Sequence, residues 1–269
     1  MNAFQTGPDS RRPILRGACL LLAAIALSAC GPAPSPSNVG APGTEKRVGT
    51  SILETGAAVL QDKPPVDALS TYLDGFHFYD GRMNEQMEAH HFCAILNEDV
   101  VQCTIFDGNL KTAKLMGVEY IVSARIFESL PEAEKSLWHS HVHEVKSGQL
   151  VAPGIPEAAE HALMTRLVGT YGKTFHTWHT DRQENLPLGM PQVMMGFTAD
   201  GQVDPAMVAA RDARLGVDSA AKRRQREDIP VPAILPGADA WARSAATPAL
   251  APSPVHPQHR HSPASVPSR

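Results

Sequence analysis

The residues best suited to chemistry form one run, Trp138-His139-Ser140-His141-Val142-His143-Glu144. Read as a strand, alternation sends His139, His141 and His143 to one face and Glu144 to the other. Neighbours on that face lie about 6.6 Å apart, so two imidazoles converge on one ion while the outer pair, at about 13 Å, does not. The chemistry this spacing suits is ligation of a divalent transition metal such as Zn²⁺. Further ligands are sought on other expected strands, among His90, His91, Cys93, Cys103, His176 and His179. Hydrogen-bonded or exposed rings with no ion are the plainer reading of the same run. A cupin barrel also carries His-x-His followed by Glu. Here only two residues separate His141 from Glu144, against the usual three or four, and no second motif follows.

Cys93 and Cys103 flank a hairpin turn centred on Glu98, which puts them directly opposite each other. A cross-strand disulfide, a pair of metal ligands and two small buried residues all fit that registry. Cys93 as a nucleophile beside His91 lacks an accompanying oxyanion or third-group pattern. No Gly-x-Ser-x-Gly, P-loop or dinucleotide fingerprint occurs. His161 reads as a surface histidine, and Lys222-Arg223-Arg224-Gln225-Arg226 as a solvated helix face.

The elements expected to position these groups alternate irregularly. Val66 to Phe78 has helical spacing behind Pro64-Pro65; His90–Leu96 and Val100–Phe106 form the hairpin; Gly117–Val122 is a strand. Ala124–Trp138 holds one or two short helices broken at Pro131. His139–Val145 is a strand turning at Lys146-Ser147-Gly148 into Gln149–Ala152. Glu157–Thr170 is a helix, Lys173–His179 and Gln192–Thr198 are strands, and Pro205–Leu215 and Ser219–Glu227 are helices. Without a regular βαβ order the class is α+β, a single mixed domain with antiparallel hairpins and flanking helices.

Composition sets the limits of that domain. Of 23 prolines in 269 residues, most lie outside Val66–Asp228, whereas nearly all the aromatics lie inside it. Residues 30–65 therefore read as a Pro-rich disordered stalk and 229–269 as a disordered Pro/Ala/Ser-rich tail carrying His256, His259 and His261. The net charge of −4 excludes a polycationic nucleic-acid binder.

Residues 1–29 carry an address. Arg11, Arg12 and Arg16 precede the apolar stretch Ala18–Leu27, as in a secretory signal too short to span a bilayer. It ends Leu27-Ser28-Ala29-Cys30, which resembles a bacterial lipobox with Cys30 as the acylated residue. Gly31 follows rather than aspartate, so the expected location is the periplasmic face of the outer membrane, with the membrane as partner through acyl chains on Cys30. At about 0.8 kcal/mol per buried methylene, two or three such chains hold a protein firmly.

Longer words complete the pattern. His90-His91-Phe92-Cys93, Leu96-Asn97-Glu98-Asp99, Gln102-Cys103, Gly117-Val118-Glu119-Tyr120-Ile121, Leu137-Trp138-His139-Ser140-His141 and Glu144-Val145-Lys146-Ser147-Gly148 resemble the oil body-associated protein family. Tyr171-Gly172-Lys173-Thr174-Phe175-His176, Asp181-Arg182, Pro187-Leu188-Gly189 and Pro191-Gln192 continue the match across Val66–Asp228. The resemblance implies association with seed lipid droplets in plants and, in bacteria, a domain with no reaction or catalytic residue to transfer. The lipobox, stalk and tail depart from the plant pattern. Plant members face the cytosol, which favours reduced or metal-ligating Cys93 and Cys103 over a disulfide. Within the matched words the candidate metal set is His91, Cys93, Cys103, His139, His141 and His176, with His143 and His179 outside it. Two readings follow: a non-catalytic, lipid-anchored envelope domain, and a metal-binding domain or metal-dependent enzyme centred on His139 and His141.

Overall fold

The computed structural model describes residues 33–243; the signal stretch, Cys30 and the terminal histidines lie outside them. Seven strands form one antiparallel sheet: β1 Thr71–Tyr79, β2 Arg82–Ile95, β3 Val100–Phe106, β4 Leu115–Ser123, β5 His139–Ser140, β6 Thr170–His176 and β7 Gln192–Met195. Their order is β4-β3-β2-β1-β7-β6-β5, and β6 also pairs with β4, so the sheet closes into a barrel. Helices α1 Val48–Leu60 and α2 Pro64–Asp67 precede it. Helices α3 Ala124–Glu128, α4 Glu132–Lys135, α5 Val142–Ser147 and α6 Glu157–Leu167 interrupt it; α7 Pro205–Leu215 and α8 Ser219–Gln225 follow. The α+β expectation holds.

Alternation assigns the barrel interior. Leu73, Gly75, His77 and Tyr79 of β1 share one face, and register carries it through Leu73↔His91, Cys93↔Cys103, Cys103↔Glu119 and Glu119↔Thr174. The outward residues of β1 are buried too, because Phe76 and Phe78 pack against Val203, Met207 and Val208. A strand covered on both faces loses its period-2 signature, which is why Val66–Phe78 reads as a helix in the sequence yet is the four-residue α2 followed by β1. Below the interior, Cys93, Cys103 and Ile121 meet Val145 of α5 and Met164 and Leu167 of α6.

The expected strand His139–Val145 is also corrected. Only His139 and Ser140 pair with β6; His141, at φ −87° and ψ 0°, caps α5, and Gly148 at φ 80° ends that helix. The helix is clamped from behind. Arg226, buried rather than solvated, donates to the carbonyls of Val145 and Leu150 at 2.8 Å and pairs with Glu160 at 3.1 Å.

Both expected disordered boundaries move. Residues 33–39 dock on the barrel: Ser35 and Val39 are buried, and Asp107 accepts from Ser37 Oγ at 2.7 Å and from the Asn38 amide at 3.0 Å. The chain beyond Asp228 stays packed, since Ile229, Ala238 and Asp239 are buried and Asp239 accepts from Ser140 N and Oγ, each at 2.8 Å. Short polar side chains, invisible to a composition count, make these attachments. From Gly40 to Pro65 no residue is buried, which matches the stalk expectation of an unpacked segment, although α1 forms within it.

Candidate metal centre

The barrel interior gathers imidazoles and carboxylates from six elements: His77 (β1), His91 (β2), Glu119 (β4), His139 (β5), His141 and Glu144 (α5), and His176 (β6), all buried. Glu119 is the hub. His91 Nε2 stands 2.9 Å from Glu119 Oε2, while His141 Nε2 and His139 Nε2 stand 3.2 and 3.5 Å from Oε1. Glu144 Oε2 lies 3.9 Å from His141 Nε2. Two three-residue cradles result, His139–His141–Glu144 and His77–Glu119–His139, each with ligand atoms within 4.8 Å of one another. His139 is common to both.

The hydrogen bonds fix which nitrogens face inward. Thr170 Oγ1 donates to the Leu167 carbonyl at 2.7 Å, so at 2.8 Å from His141 Nδ1 it accepts that ring's proton. His91 Nδ1 faces the Ala89 carbonyl at 3.1 Å, which can only accept. In their neutral forms both rings therefore turn an Nε2 lone pair toward a carboxylate oxygen. Among the described residues His139 has no hydrogen-bond partner at either nitrogen, and His91 Nε2 has none despite its short approach to Glu119. Buried acceptors facing acceptors cost about 1–3 kcal/mol each unless a proton or a cation lies between them.

Without an ion, the same contacts draw protons onto the imidazoles. Burial alone would raise Glu119, but contact with His139, His141 and His91 holds its carboxyl well below the usual range. Burial opposes charge on His91 and His139, and the Glu119 carboxylate overcomes it, so both sit above an ordinary imidazole. Burial pushes Glu144 up and His77 well down, and brings His176 to about 3. Among the described residues neither Glu119 nor Glu144 pairs with lysine or arginine. A second cluster, Asp74–Glu88–His90, differs on this point: Arg211 meets Asp74 at 2.7 Å and Arg214 meets Glu88, so its charge is already balanced.

The spacings suit an ion. With bonds of about 2.1 Å, ligands at right angles lie about 3.0 Å apart and tetrahedral ligands about 3.4 Å. The observed 2.9, 3.2, 3.5 and 3.9 Å span those edges. The void bordered by His77, His91, Glu119, His141 and Glu144 measures about 10 Å³, the size of one water or ion and far below an organic substrate. Gly172 makes the convergence sterically feasible, because a Cβ there would lie 2.1 Å from Glu119 Oε1 and 2.8 Å from His139 and His141 Nε2.

Four of the six candidates from the sequence thus meet in the interior: His91, His139 and His141 at Glu119, and His176 behind them with Nε2 3.5 Å from His77 Nδ1. Cys93 and Cys103 leave the ligand set, because they are joined in a disulfide directly across β2 and β3. Glu144 is corrected from the opposite face to the site, since α5 replaces the expected strand. His143 turns away, with Nε2 at 3.3 Å from Gln149. His179 bonds Tyr79 instead. Sequence reasoning missed His77, hidden in an expected helix, and did not single out Glu119, whose signal is a lone carboxylate within a run of strand residues.

Residues 63–230 match the family model described as "Protein of unknown function (DUF1264)". Among curated relatives, the chain is 46% identical over 194 residues to oil body-associated protein 1A of Zea mays, covering 72% of this chain and 82% of the relative. It is 44% identical over 190 residues to oil body-associated protein 1B of Arabidopsis thaliana, covering 71% and 79%. Against oil body-associated protein 2A of Zea mays it is 39% identical over 224 residues, covering 79% and 89%. No solved structure matches.

Proposed function

The chain belongs to the DUF1264 family, and we propose that its domain is a metal-binding barrel with one divalent transition ion, such as Zn²⁺, at its centre. His139, His141, Glu119 and Glu144 hold the ion; His91 flanks Glu119, and Thr170 fixes the His141 tautomer. The observation that carries this reading is the inward convergence of buried acceptors on one another without a lysine or arginine to neutralise them. A void the size of one ion supports a structural role, in which the ion ties β4, β5 and α5 together, over turnover of an organic substrate at this point.

Metal content of the untagged chain, purified without chelator and measured by elemental mass spectrometry, tests it. One ion per chain is expected, lost in His139→Ala/His141→Ala and kept in His143→Ala. Metal-free wild-type protein, or equal loss in His143→Ala, contradicts it.

A second reading concerns location. The Leu27-Ser28-Ala29-Cys30 word favours a chain acylated at Cys30 and held at the periplasmic face of the outer membrane, with no nucleic-acid partner. Among the described residues no helix is long and apolar enough to cross a membrane. The relatives named for oil bodies make a lipid surface a natural setting for the domain.

A further inference from the structure

We infer that the outer face of β2 and β3 around Asn109 docks on the bilayer that carries the Cys30 anchor, and that its two pockets take acyl chains of that bilayer's phospholipid. The inference rests on the anchored reading and extends it to a surface and an occupant.

Two cavities of about 550 and 540 Å³ lie side by side there and share Phe92, Asn109 and Leu110. The second is walled by Val66, Leu69, Phe106 and Leu115, and among the described residues the only charged one lining it is Lys111. An apolar trough with a single cation suits an acyl chain beneath a phosphate headgroup. Leu110, Leu115, Val66 and Ile155 stand exposed around the pair of cavities, a grouping that water does not favour.

The path of the chain into the barrel selects the occupant. Asn109 Nδ2 donates to the Ala33 carbonyl at 2.9 Å, its Oδ1 accepts from the Ser35 amide at 2.7 Å, and its backbone amide donates to the Ser35 carbonyl at 3.0 Å. Pro34 lines the first cavity, and Arg214 Nε donates to Ser35 Oγ at 2.6 Å. Gly108 is required by this clasp, since a Cβ would lie 2.4 Å from the Ser35 carbonyl oxygen. Ala33 is therefore fixed against Asn109, which lines both cavities. Three residue steps back, Cys30 Cα lies at most about 11 Å away. A long free stalk would leave the domain free to turn; a tether this short holds this face against the lipid.

Photocrosslinking in cells producing the full chain tests the proposal. Benzoylphenylalanine replaces Leu110 or Leu115, and Leu188, exposed and outside both cavities, serves as the control. After illumination, mass spectrometry reads phospholipid adducts and, in the same sample, the mass of the N-terminal peptide. Adducts at the first two positions roughly tenfold above those at Leu188 are expected, together with an acylated Cys30. An acylated chain with equal yields at all three positions overturns the docking face and leaves the anchor standing. Crosslinks to the Val48–Leu60 peptide would make α1, whose Ile52, Leu53 and Val59 stand exposed among the described residues, the occupant instead. An unacylated Cys30 removes the tether and overturns both readings, while the metal centre stands apart from either.

Discussion

At the scale of single residues, the interior depends on what is small as much as on what ligates. Gly172 is the case in point. In Gly172→Ala the new methyl meets Glu119, His139 and His141 at once, all three buried. The variant is expected to lose its ion and, measured metal-free by urea denaturation, to lose about 1–3 kcal/mol besides. Unchanged metal content would show that the three groups do not converge over Gly172. The sequence displayed His139 and His141 as a pair, because i, i+2 spacing is legible in any strand. It concealed their counterions, because Glu119 comes from another strand and Glu144 reaches the site only through the helical turn that starts at His141.

At the scale of elements, what was legible follows burial. The hairpin β2–β3, the strand β4, the break at Pro131 and helices α7 and α8 carry one covered face or a clear cap, and their patterns survive in the sequence. β1 is covered on both faces, and β5 with α5 changes element within three residues, so neither shows a clean period. The outward face shared by β1 and β2 has its own electrostatic consequence. Burial, then the charge of Asp74, raises Glu88 to about 7, against the pull of Arg214 and His90. The folded chain thus takes up a proton there more readily than the unfolded chain. The Glu88 contribution to stability is fully present below about pH 4.5 and is lost as the pH rises through 7, a difference of up to about 3 kcal/mol. Glu88→Gln should therefore raise the melting temperature at pH 8 and give no gain at pH 4.5. A gain of equal size at both pH values would place the effect in packing rather than charge.

At the scale of the whole molecule, the barrel is a closed shell to which the described segments before α1 and after α8 are sewn. The N-terminal segment is held by Asn109, Asp107 and Arg214, and the segment after α8 by Ser140 and by Lys146, whose ammonium donates to the Ile229 carbonyl at 2.8 Å. These attachments were not legible because they are made by scattered polar side chains within Pro- and Ala-rich sequence. Inside the shell the histidines and carboxylates are buried, with the apolar cluster that holds the Cys93–Cys103 disulfide packed below them, and a bound cation is worth most in such a place. The most direct measurement is anomalous diffraction from crystals of the chain grown without chelator, with data on both sides of the zinc edge. The metal-barrel reading predicts one strong peak bonded to His139 and His141 at about 2.1 Å, with a Glu119 or Glu144 oxygen beside it. An interior without a peak, or one whose only peak lies at a surface group such as His161 with Asp228, would contradict it.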